Sequence, residues 1–190
     1  SRSYPIDISN YTLVDLATNS SYTFPANTVM DSRAFVVFHP QRGTNYTDTF
    51  GVRHFYAGTA WNIGGSGAAN DSGALELYRN TQLAHDTLID FVTWSANGTI
   101  GDAAWDDTAV RARIWTAGVA VDVHTGTLNT DSPLARRFDG ADSDGVTAGE
   151  WIQLHQTFLP GITNAAGGGP TSISAIAFKD SDFSTDKSVI

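Results

Sequence analysis

The densest cluster of metal-type ligands in the chain is Asp139-Gly140-Ala141-Asp142-Ser143-Asp144-Gly145. Closely spaced Asp oxygens on a Gly-turned loop suit a hard cation such as calcium, with Asp139, Asp142 and Asp144 as the ligands. The spacing departs from the EF-hand, whose D-x-D-x-D-G pattern would need an acid at Gly140. The same residue types also build ordinary turns. Both readings stand, so calcium is the one cofactor the sequence admits.

Five histidines, His39, His54, His85, His124 and His155, are the other ligand type. None shares H-x-H or H-x-x-x-H spacing with another, so a histidine metal site would have to be assembled from distant strands. There is no cysteine, which removes disulfides, thiolate catalysis and cysteine zinc sites. Gly65-Ser66-Gly67 lies in a Gly-rich loop without the strand–turn–helix setting that a nucleophilic serine needs. No phosphate-binding loop or dinucleotide fingerprint occurs. The adjacent pair Asp106-Asp107 has carboxylates but no cleft to shift their pKa values. The sequence therefore predicts a protein that is not an enzyme. Trp61 and Trp105, both beside loops, are the candidates for stacking on a sugar ring.

Net charge is −9, from 20 acidic and 11 basic residues. The only adjacent basic pair is Arg136-Arg137; Arg111 and Arg113 flank Ala112 and are expected on one strand face. That balance disfavours nucleic acid and anionic membrane as partners, because phosphate binding needs clustered Lys and Arg. No run approaches the ~20 apolar residues of a membrane span. The chain starts at Ser1, which reads as a processed or excised form. Asn-x-Ser/Thr triplets at Asn10, Asn19, Asn45, Asn70 and Asn97 fall in or beside predicted turns. They mark candidate glycosylation sites and favour an extracellular location, with glycans as further candidate partners.

Short apolar runs alternate with turn clusters, and helical periodicity is nearly absent. Strands are expected over 6–8, 11–16, 21–24, 34–38, 74–78, 88–94, 112–115, 119–123, 134–136, 150–154 and 172–178. Gly101–Val110 has room for one helical turn, with Asp102 as its N-cap. Residues 64–73 read as a flexible loop. This pattern predicts an all-β, immunoglobulin-like sandwich with Gly/Asp-rich loops and at most one short helix. Residues 1–165 would form the sandwich, 166–170 a Gly-rich linker and 171–190 a C-terminal strand segment.

The order of motifs along residues 4–164 resembles the lamin-tail domain family, of its extracellular bacterial and archaeal type. Tyr4-Pro5-Ile6-Asp7-Ile8-Ser9-Asn10-Tyr11-Thr12-Leu13 is similar to the family's opening P-(V/I)-D-(L/I)-S-(G/N)-(W/Y)-x-L signature. Tyr22-Thr23-Phe24-Pro25 and Ala34-Phe35-Val36-Val37-Phe38 resemble its next strands. Trp61-Asn62-Ile63-Gly64, Leu75-Glu76-Leu77 and Ile89-Asp90-Phe91-Val92 resemble its core. Leu134-Ala135-Arg136, Asp142-Ser143-Asp144, Trp151 and Pro160-Gly161-Ile162-Thr163-Asn164 resemble its closing segment.

Family members open with two strands that have no counterpart before Ser1. Ser172–Asp180 and Asp186–Ile190 resemble those missing strands, displaced to the C-terminal end. A strand apolar on both faces is stable only when buried on both sides. The resemblance therefore implies that Ile173, Ala175, Ile176, Ala177, Phe178, Val189 and Ile190 act as a strand donor. The acceptor is the chain's own groove or another copy, as in donor-strand complementation or a tandem array. The implied function is structural or adhesive: a filament or surface-array subunit whose main partner is itself. The alternative is a carbohydrate- or surface-binding accessory module of an exported protein.

Overall fold

The computed structural model describes residues 4–31, 34–61, 63, 72–123, 134–136, 151–153 and 176–179. They form short strands and one short helix. The strands are β1 (Ile6–Asp7), β2 (Thr12–Asp15), β3 (Ser20–Thr23), β4 (Val29–Met30), β5 (Phe35–His39), β6 (Tyr46–Thr47) and β7 (Arg53–Tyr56). They continue as β8 (Ser72–Tyr78), β9 (Leu88–Ser95), β10 (Val121–Asp122), β11 (Leu134–Arg136), β12 (Trp151–Gln153) and β13 (Ile176–Lys179). The helix is α1 (Asp107–Ala112).

A five-stranded sheet has the order β10-β9-β8-β2-β3, and a four-stranded sheet the order β13-β5-β7-β6. β1 pairs with β4, and β11 with β12. Most ladders are antiparallel, but β5–β7 and β9–β10 are parallel. The all-β sandwich with one short helix thus stands.

Register explains the layers. Leu13 lies opposite both Tyr22 and Leu77, and Leu75 lies opposite Val92, so these side chains share one face of the larger sheet. That face meets the smaller sheet through aromatic contacts. Tyr22 lies 4.9 Å from Phe38, and Phe24 lies edge-on to Phe55 at 5.3 Å. The opposite face carries Val14, Glu76, Ala74, Phe91 and Thr93. It is covered too: α1 packs on β9, Ala109 is fully buried, and Trp115 sits edge-on to Phe91 at 5.1 Å. Every residue of β9 is accordingly buried.

The helix departs from the sequence expectation in place and extent. Its N-cap is Asp106, not Asp102, and Asp106 Oδ2 accepts the Gly118 amide at 2.6 Å instead of capping. Asp102 Oδ1 accepts the Ala104 amide in a preceding turn. The strand expected over 112–115 is replaced by the helix end, which stops at Arg113 in a left-handed conformation. Arg111 therefore lies in the last helical turn, and the two arginines share no strand face. The strands β4, β6 and β7 lie outside the stretches whose pattern predicts a strand. Ser72 and Gly73, expected in a loop, open β8. The 166–170 linker lies outside the described residues.

The turn reading of the Asp and Asn excess holds at several positions. Asp7, Asp15, Asp48, Asn80, Asn97 and Asp102 each accept the amide two residues on.

Gly73 makes a close approach possible. A Cβ built there would stand 2.4 Å from Trp94 Cζ2, and Trp94 is almost fully buried. Gly73→Ala should therefore cost about 1–3 kcal/mol through overpacking. Urea denaturation checks this: the midpoint should fall with the slope unchanged.

Candidate functional site

β5 (Phe35-Val36-Val37-Phe38-His39) lies at the centre of the site. Val36, Val37 and Phe38 are fully buried. Buried backbone N–H and C=O groups must be paired, so β5 needs a neighbour on each edge. β7 supplies one, in parallel register. β13 supplies the other, antiparallel, with Ile176 opposite Phe38, Ala177 opposite Val37, Phe178 opposite Val36 and Lys179 opposite Phe35. Of the expected strand donors, Ile176, Ala177 and Phe178 thus sit on the β5 edge of their own chain. Ile173, Ala175, Val189 and Ile190 lie outside the described residues.

The parallel pairing also brings His39 and His54 together. His39 stands opposite Tyr56, and His54 opposite Val37, so the imidazoles are diagonal neighbours on the sheet face away from Phe55. His39 Nε2 and His54 Nδ1 are 2.9 Å apart, with the rings within 17° of coplanar. Tyr46, opposite His54 on β6, stacks on it at 4.3 Å and 8°. Tyr56 stacks on His39 at 4.3 Å and 13°. Tyr56 is pinned in turn: its amide donates to Asn45 Oδ1 at 2.8 Å, and a Cβ at Gly43 would collide with its ring.

Asp48 closes the chain of contacts. Its Oδ2 lies 3.5 Å from His54 Nε2. Its Oδ1 accepts the Phe50 and Val52 amides at 2.8 and 2.9 Å, in the turn joining β6 to β7. Desolvation pushes the carboxyl up, but donation from Val52, Phe50 and His54 outweighs it and leaves Asp48 below its ordinary value. The two histidines stand 15 residues apart, so short-range ligand spacing does not reveal the pair. The available signal was the hairpin: Tyr46-Thr47, a turn with Gly51, then the alternating Arg53-His54-Phe55-Tyr56.

A third cluster is sealed inside. Glu76 is buried beneath α1, and Tyr78 donates its hydroxyl to Glu76 Oε2 at 2.6 Å. Glu76 Oε1 is buried with no hydrogen-bond partner among the described residues. Burial pushes the Glu76 carboxyl up to about 7, against the pull of the Tyr78 and Thr108 hydroxyls. Burial, followed by the neighbouring Glu76, also raises Tyr78.

Asn10, Asn19, Asn45 and Asn97 are exposed. Asn10 and Asn19 hold left-handed turn positions, with φ of 64° and 53°. Asn70, His124, His155 and the acidic loop with Asp139, Asp142 and Asp144 lie outside the described residues. Among the described residues, no group of three or more His, Asp or Glu is arranged to hold a metal ion. Trp61 and Trp105 are partly buried and packed against the core. No described helix is long and apolar enough to cross a membrane. No family model, curated protein or solved structure matches the chain.

The Glu76 environment sets the sign of a pH effect. Its folded pKa of about 7 lies above the ordinary 4.5. Between those values the native state holds a proton that the unfolded state has lost, so stability falls as pH rises through that window and is flat above it. The loss is about 3 kcal/mol at one pKa unit per 1.4 kcal/mol. Asp15, raised by burial, acts with the same sign. Denaturation at pH 5 and pH 8 should show greater stability at pH 5, and Glu76→Gln should remove most of the difference. A wild-type stability that does not change with pH would mean that water reaches the carboxyl.

Proposed function

We propose that this chain is a non-enzymatic structural or adhesive module working outside the cell. In this reading it is an immunoglobulin-like, lamin-tail-like sandwich whose copies join by exchanging the C-terminal strand. The observation that carries the proposal is the pairing of β13 with β5. The Ile176–Lys179 segment fills an edge that a strand with a fully buried centre cannot leave open.

The covalent connection allows either partner. At ~3.5 Å per residue, the stretch 154–175 can reach far beyond the width of a sheet. The same strand can therefore add to its own β5 or to that of a neighbour, with the same ladder of hydrogen bonds. The local energy is nearly equal in the two cases. Strand addition of this kind gains affinity from main-chain bonds and specificity from alternate side chains. Because each copy gives one strand and receives one, the contact is head-to-tail and propagates unless it closes into a ring.

The test compares the full chain with one lacking residues 171–190, by electron microscopy and sedimentation. The full chain should form filaments or rings, and the truncated chain should not. A synthetic peptide of residues 171–180 should bind the truncated chain and raise its melting temperature by several degrees. Two results overturn the reading. If both chains are monomers with the same melting temperature, the segment contributes nothing. If the full chain is a strict monomer that the truncation merely destabilises, β13 closes the sandwich only in its own chain. Retention of such a monomer on a polysaccharide would then identify a carbohydrate-binding module.

A further inference from the structure

We propose that His39 Nε2 and His54 Nδ1 form a binding site for a zinc-class divalent transition metal, with Asp48 as the carboxylate that orients His54. The inference is independent of strand exchange.

The protonation pattern follows from the contacts. The Asp48 carboxylate faces His54 Nε2 at 3.5 Å, so that nitrogen carries the ring hydrogen. His54 Nδ1 is then a lone pair, and it points at His39 Nε2, 2.9 Å away. Carboxylate–imidazole–metal chains have this arrangement: the outer carboxylate sets the tautomer and raises the basicity of the ligating nitrogen. Here the carboxylate is itself fixed by the Phe50 and Val52 amides.

Distance fits as well. A tetrahedral zinc at 2.0–2.1 Å from each nitrogen holds them about 3.3 Å apart. To admit the ion, the pair at 2.9 Å must open by about 0.4 Å and each ring must turn in its plane by about 35°, so that both lone pairs converge on the ion instead of on each other. Ligation through Nε2 takes His39 as the neutral imidazole with its hydrogen on Nδ1.

Stacking holds the planes of the two rings for this role. Tyr46 and Tyr56 stack on them, Gly43 backs Tyr56, and both histidines lie on paired strands. Two imidazoles select Zn2+, Ni2+ or Cu2+ over calcium or magnesium, which prefer oxygen. This separates the site from the Asp-rich loop. Asp48 faces the far nitrogen of His54, and the described residues hold no group of three ligands for an ion, so the remaining positions fall to water or an incoming ligand.

The test is titration of the full chain with Zn2+ in competition with a chromophoric zinc indicator, in excess calcium to fill any oxygen site. Wild type should bind about one equivalent, and His39→Gln and His54→Gln should each abolish it. Asp48→Asn should weaken binding 10–100-fold. Nitrogen-detected NMR of the wild-type imidazoles gives a readout that does not depend on a variant folding. Before metal, His54 should carry its hydrogen on Nε2; on adding Zn2+, the His54 Nδ1 and His39 Nε2 signals should shift. Absence of saturable Zn2+ binding by wild type overturns the proposal. So does binding that survives both Gln variants, which would place the ion on other histidines, or a zinc-bound spectrum with those two nitrogens unmoved.

Discussion

The sandwich depends on one buried strand having both of its edges satisfied. The centre of β5 is apolar on both faces, and Val36, Val37 and Phe38 see no solvent. Hydrophobic burial holds it in place, but burial also removes water as a partner for its backbone. Each N–H or C=O left unpaired there costs about 1–3 kcal/mol. Against a total domain stability of about 5–15 kcal/mol, a row of such groups is not tolerable. β7 fills one edge and β13 the other. The requirement is for a strand, not for a particular molecule to provide it. The proposed strand exchange would use this physical opening.

The same strand organises the chemistry on its outer face. Had β5 and β7 been antiparallel neighbours in a hairpin, their histidines would have been set by the turn. Parallel pairing puts β6 between them in sequence but beyond β7 in space. His39 and His54 then meet diagonally, Tyr46 arrives from β6, and the Asp48 turn lies beside His54. Residues from four short segments converge because the ladder fixes their positions. No one of these segments could hold the geometry alone.

What was legible in the sequence follows from signal strength. β2, β8 and β9 carry enough apolar residues for period-2 patterning to show, and the stretch around Val36-Val37-Phe38 reads as a fully buried strand. β4 and β6 are two residues each and have no period to detect. The stretch Ala112-Arg113-Ile114-Trp115 imitates a strand end, yet Ala112 completes a helix and Arg113 turns left-handed to drive Ile114 and Trp115 into the core. Glu76 is the sharpest case. In Ala-Leu-Glu-Leu-Tyr it looks like the polar, solvent-facing member of an alternation. Alternation assigns Glu76 to the face opposite Leu75 and Leu77 correctly, but it cannot reveal that α1 covers that face. The histidine pair leaves only an indirect signal, the β6–β7 hairpin, because contact across a parallel ladder produces no short-range spacing.

Charge bears on how copies of this chain could approach one another. Each carries −9, mostly from Asp residues, and several of these accept backbone amides in turns. Like-charged molecules repel, but at physiological ionic strength that repulsion fades over about 8 Å. A backbone ladder works at about 3 Å and carries no net charge. Strand pairing is thus an attraction that survives where surface electrostatics oppose association, and added salt would strengthen it rather than weaken it. An interface built from surface ion pairs would respond in the opposite direction. On the proposed reading, the acidity would oppose random association of copies while leaving a directional, uncharged strand contact unaffected.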